Sequence, residues 1–139
     1  MASLIYDSCL RDLQIGSIDA DADTFKAMLV TSTYSPNKGT HDKRDDVTNE
    51  VSGTAYTAGG VATACTAALN TTSHAMVLTF AAVSWVASTI TARGMVIYKS
   101  RGGASSADEL VGYLDFGANV VSSGGTFSVA ASTLTTTNS

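Results

Sequence analysis

Charge is scarce in this chain. Asp, Glu, Lys and Arg make up 14% of its 139 residues, against about 25% in an ordinary globular domain. The net charge is −4 and the pI is near 4.8. Such a balance excludes the basic surface that holds nucleic-acid phosphates, and the polybasic patch that holds a membrane surface. Cysteine occurs only as Cys9 and Cys65, at a spacing that matches neither a C-x-x-C redox motif nor a zinc site. Both are expected to be reduced, small core residues, and whether they ever meet is left open. Proline occurs once, as Pro36, and tryptophan once, as Trp85. Long apolar runs are missing too. The most apolar stretch, Ala75 to Ala87, is broken by Thr79 and Ser84 and is too short for the about 20 residues of a membrane helix. Met1 to Asp7 shows neither the basic nor the apolar region of a secretory signal, so the chain is expected to stay soluble in the cytoplasm that makes it. No repeat of about 20–50 residues occurs, and no linker divides the chain.

The residues present point to β structure. Phe25 to Thr31 reads as a strand with Phe25, Ala27 and Leu29 on one face. Met76 to Phe80, the segment around Val83, Trp85 and Ala87, and Met95 to Tyr98 read as further strands. So do Leu110 to Phe116 and Thr126 to Ala131. Asn70 to Ser73 and Ser123-Gly124-Gly125 carry turn signals. Ahead of them, Ser3 to Gln14 reads as a short helix. Tyr6, Cys9, Leu10 and Leu13 form its apolar stripe, Ser3 its N-cap, and Gly16 its left-handed C-cap. The expected fold is mainly β: a single-domain antiparallel β-sandwich or barrel over residues 1–139, with a short N-terminal helix or arm within 1–16 and a polar C-terminal tail over 133–139.

Candidate chemistry is thin. Asp19-Ala20-Asp21-Ala22-Asp23 spaces carboxylates as a calcium loop begins. However, Thr24 stands where that loop needs Gly and Val30 where it needs Glu, so an acidic turn is expected. His41, Asp42, Asp45, Asp46 and Glu50 crowd one loop with Lys43 and Arg44, which reads as a solvated, self-neutralising segment with one helical turn. Asp108, Glu109 and Asp115 could form a hydrolytic carboxylate pair, but Asp108 and Glu109 are expected merely to solvate the loop before a strand. His41 and His74 lie next to turns without a nucleophile motif. Gly102-Gly103 and Gly124-Gly125 lack the Lys-Ser/Thr of a phosphate loop. Trp85 is expected in the core. These residues imply no catalytic site, no cofactor and no metal.

The surface carries more information. Thr, Ser, Ala and Met on the second faces of strands solvate weakly, and only Lys26, Arg93, Lys99 and Arg101 lie in or near strands to guard their edges. Faces this neutral commonly pack on another chain. A homo-oligomer, trimer or dimer, is expected, with Leu4 to Leu13 and Thr133 to Ser139 as arms that reach a neighbour.

Several strings, in order, carry a resemblance: Tyr6-Asp7-Ser8, Thr24-Phe25-Lys26-Ala27-Met28-Leu29-Val30-Thr31-Ser32, Tyr34-Ser35-Pro36-Asn37, Asp46-Val47-Thr48-Asn49-Glu50-Val51-Ser52-Gly53-Thr54, Tyr56-Thr57-Ala58-Gly59-Gly60, Thr91-Ala92-Arg93-Gly94 with Val96-Ile97-Tyr98-Lys99, and Gly112-Tyr113-Leu114-Asp115-Phe116-Gly117. Over nearly its whole length the chain resembles small structural proteins carried by tailed bacteriophages. The resemblance implies a non-enzymatic part of the virion, made in the host bacterial cytoplasm. A capsid decoration (cement) protein that binds the major capsid protein from outside suits the size and acidity. A tail or head-to-tail accessory protein is the alternative. A host-glycan-binding tail module, using Tyr34, Tyr56 and His41, is a second class. A small hydrolase is a third, and it has no supporting motif.

Overall fold

The computed structural model describes residues 3–138, so Met1, Ala2 and Ser139 lie outside the described residues. The chain is a mainly β protein of two antiparallel sheets and one short helix, α1 (Asp7–Ile15). Sheet I has the order β1 (Leu4–Ile5), β7 (Leu110–Val129), β6 (Val83–Lys99), β2 (Phe25–Val30), β3 (Val61–Thr63). Sheet II has the order β4 (Cys65–Asn70), β5 (Ala75–Phe80), β8 (Ser132–Thr137). The arrangement is a sandwich.

Strands cross between the sheets at one corner made of alanine. Ala64 joins β3 to β4, Ala81-Ala82 join β5 to β6, and Ala130-Ala131 join β7 to β8. The Ala81 N–H donates to the Ala64 carbonyl at 2.9 Å, and the Thr63 hydroxyl donates to the Ala81 carbonyl at 2.9 Å. A methyl side chain lets the backbones turn the corner close together. The two-strand ribbon β6–β7 continues past it as β5–β8, so one long hairpin supplies both layers.

Two clusters hold the fold. Between the sheets, Phe25, Ala27 and Leu29 of β2, Trp85, Ile90 and Ile97 of β6, and Val111 and Phe127 of β7 face Leu78, Phe80 and Leu134. Trp85 meets Phe127 edge to face at 5.9 Å, and Phe25 meets Phe80 likewise at 6.0 Å, a geometry worth about 0.5–1.5 kcal/mol beyond area burial. The other face of sheet I is also buried. Met28, Val30, Val96, Tyr98, Leu110 and Tyr113 lie under Tyr6, Tyr34 and Val47. The long connection from β2 to β3 folds back over that face, tied by the Thr31 N–H to Asn49 O and the Val51 N–H to Leu29 O.

Five expectations change. The helix starts at Asp7, not Ser3. Tyr6 occupies the N-cap without a side-chain cap, while Leu4–Ile5 pair with Tyr113 and Gly112 as β1. Gly16 does close the helix, at φ 81. On the helix, Leu10 is 40% exposed whereas Asp12 is buried, because the helix presents Cys9 and Asp12, not Leu10, to the interior. Ser123-Gly124-Gly125 is no turn. It lies inside β7, where Gly124 at φ 70 sits at a register shift opposite Ser88 and Thr89. A bulge built on a left-handed glycine uses the same positive φ as a glycine turn. Finally, Thr133 to Thr137 are no free tail. They lie in β8, paired residue by residue from Thr79 back to Ala75 of β5, with Leu134 buried. The Leu4 to Leu13 segment is likewise tied into its own chain, with Tyr6 and Cys9 fully buried.

Candidate functional site

Several charged residues cluster around the loop before β7. Asp108 and Glu109, expected to be solvated, are both buried. Arg44 Nε donates to Asp108 Oδ2 at 2.8 Å, with its guanidinium 5.0 Å over the Tyr98 ring. Arg101 grips Glu109 with two N–H donors at 2.7 and 2.8 Å. Lys43 stands 3.7 Å from the same carboxylate. The loop of Lys43 and Arg44 thus neutralises a partner loop across the fold rather than itself. It contains the expected helical turn, Arg44–Asp46.

Burial pushes the Glu109 carboxyl up, but the Arg101 hydrogen bonds and the nearby Lys43 and Lys99 charges outweigh it, so it stays below its ordinary value. Asp23 behaves alike: burial raises it, and the Asp19 backbone N–H and Lys99 bring it below. Asp46 is lowered first by the Asp42 backbone N–H, and Asp115 first by the Gly117 N–H and then by Arg93. A carboxylate depressed in the folded state stabilises above its unfolded value and loses that contribution as pH falls through the folded one. With unfolded values of about 3.9 and 4.3 for Asp and Glu, the urea midpoint should hold from neutral pH down to about 5 and fall steeply below about 4. A midpoint that is flat down to pH 3 would contradict this network.

The remaining sequence candidates find structural employment. In the acidic turn, Asp19 Oδ1 and Asp23 Oδ2 accept backbone N–H groups of the same turn, and Asp23 pairs with Lys99 Nζ at 2.9 Å. Among the described residues no three His, Cys, Asp or Glu side chains form a metal-holding group. His41 Nδ1 lies 3.0 Å from the Tyr34 hydroxyl, which lies 2.8 Å from that of Tyr6. Tyr34 is buried, so it offers no platform to a sugar. Tyr56 takes the Leu29 N–H and donates to Glu50 Oε1 at 2.7 Å. Asp115 accepts from Arg93 at 2.9 Å and from the Gly117 N–H, which pins a bulge in β7. His74 is exposed on the β4–β5 hairpin. Trp85 is buried in the core. Both cysteines are free thiols. Burial pushes Cys9 up to about 12 and Cys65 up to about 11, which leaves both as poor nucleophiles. Cys65 is only half-buried.

Two long stretches of the chain carry no charged residue. The 8 Lys and Arg and the 12 Asp and Glu all fall within residues 7–50 and 93–115. Residues 51–92 and 116–138 fold into β3, all of sheet II, and the distal ribbon where Val83–Ala92 pair with Val120–Val129. These elements expose apolar side chains: Leu69 at 74%, Val86 at 68% and Val121 at 65%. Every residue of β4 from Thr66 to Asn70 is exposed. They also expose strand edges. β4 and β8 flank sheet II, and β7 is covered by β1 and its neighbours Ser3 and Tyr6 only from Val111 to Asp115. Edges are normally blunted with Lys, Pro or inward charge; β4, β8 and β7 beyond Asp115 carry none. The signal was readable in the sequence as two long uncharged stretches; the fold joins them in sheet II and the distal ribbon, with Asp7, Asp19 and Lys38 bordering β5 and β8.

No family model, no curated protein and no solved structure matches the chain. No helix among the described residues is long and apolar enough to cross a membrane. The physical surface is therefore what speaks to function.

Proposed function

We propose that this chain is a non-enzymatic structural subunit of a tailed-bacteriophage particle: a decoration protein that binds the outer face of the shell and links neighbouring major capsid proteins. The observation that carries the reading is a set of elements that hold no charged residue, sheet II and the distal ribbon, with open strand edges and exposed Leu69, Val86 and Val121. An uncharged surface sheds its water cheaply on contact. The net charge of −4 keeps the bound protein solvated and repels loose nucleic acid. The resemblance to phage structural proteins supplies the setting. Repetition over a shell would turn a modest single contact into durable attachment.

The test is binding to purified shells. The double variant Val86→Lys/Val121→Lys charges the exposed side of the distal ribbon without touching the core, and should weaken binding at least about tenfold. Asp45→Lys, at an exposed position of the charged loop around Arg44, should change binding less than about twofold and controls for net charge. The reverse pattern would reject the reading.

A further inference from the structure

The β8 edge has a definite hydrogen-bond phase. The Asn138 N–H donates to the His74 carbonyl at 2.7 Å, so this opposed pair exchanges hydrogen bonds. In an antiparallel ladder bonded and non-bonded pairs alternate. With the register Thr137 to Ala75 through Ser132 to Phe80, Ser132, Leu134 and Thr136 turn their backbone groups toward β5. Thr133, Thr135 and Thr137 turn theirs to the open edge. All three are exposed, and their N–H and C=O groups make no contact across that edge among the described residues. Beside the edge runs a groove of about 510 Å³ lined by Leu4, Ile5 and Leu10. The charged residues that line it, Asp7 and Lys38, are opposite in sign.

We infer that this edge pairs with the same edge of a second copy, antiparallel about a two-fold axis at Thr135. The edge is self-complementary in that register. Thr135 opposes its own copy, and Thr133 opposes Thr137 at both ends. Each opposed pair exchanges two backbone bonds, about six in all. Threonine then stands opposite threonine along the exposed face, a favourable cross-strand pairing. The net charge of −4 does not oppose the contact, because no formal charge lies on β5 or β8. The result is a six-stranded sheet across an isologous interface. The pairing is independent of the particle in which the chain serves.

Sedimentation velocity on the full chain tests it. The wild type should sediment as a dimer at micromolar concentration. Thr135→Lys puts like charges opposite each other at the axis and should weaken dimerisation at least about tenfold, as should Thr135→Glu. A mixture of the two variants should recover the dimer, since only this register sets residue 135 against itself. Thr135→Pro removes an outward N–H but no intrachain bond, so it should be monomeric with an unchanged circular dichroism spectrum. A monomeric or trimeric wild type would overturn the inference. So would a Lys variant that dimerises like the wild type, or a mixture no more associated than its components.

Discussion

Gly60→Ala should cost about 4 kcal/mol or more, a size reserved for steric damage at special backbone positions. Gly60 stands at φ 77, where a Cβ costs about 1–2 kcal/mol by itself. An added Cβ would also run into the Ala27 carbonyl oxygen and the backbone of Met28. Those atoms belong to β2, the strand that is buried on both faces. Relief requires pushing β3 off β2 at Val61, the first residue of their pairing. The melting temperature should fall by about 15 °C, on the scale for a chain of this size. Gly103→Ala is the control. Its added Cβ meets nothing, so the change should stay within about 0.5 kcal/mol. Comparable losses at both glycines in urea titrations would contradict the packing described for β2 and β3.

Arg44→Ala should destabilise by about 3 kcal/mol. The Asp108 side chain is 2% exposed, and without Arg44 it keeps only the Arg101 backbone N–H, at 2.9 Å. Removing one member of a buried pair typically costs about 3–5 kcal/mol. The lower figure applies because Arg44 keeps 22% of its side chain in water, so water can follow it out. The loss of its packing over Tyr98 is included. The double variant Arg44→Ala/Asp108→Ala should then cost less than the sum of the single variants, by at least about 1 kcal/mol. Additive losses would mean that the two side chains contribute separately and that the charged cluster is not a network.

The architecture was largely legible because its signals are local. β2 shows alternation of Phe25, Ala27 and Leu29, and the Asn70 to Ser73 turn is fixed by Asn70 Oδ1 accepting the Thr72 and Ser73 N–H groups. Such features need no knowledge of the rest of the chain. The misread features are those where a partner distant in sequence decides. Met28 and Val30 look like a solvent face until the connection carrying Tyr34 and Val47 folds over them. Thr133 to Thr137 read as a tail because threonine is polar, yet β5 supplies a ladder that a polar strand can join. Asp108 and Glu109 read as solvated because Arg44 and Arg101 meet them only in space. Gly124 misled because a bulge built on a left-handed glycine and a glycine turn use the same backbone. The functional surface was half legible. Neutral strand faces were evident from composition, but which edges stay open follows from topology alone.

The measurement that bears most directly on the account is the copy number of this chain in purified particles, by quantitative mass spectrometry against the major shell protein. A fixed simple ratio to the shell subunit, with hundreds of copies expected from repeated seating on the lattice, is the predicted result. A handful of copies would move the chain to the tail or the head-to-tail junction. Its absence from the particle would contradict the structural role outright.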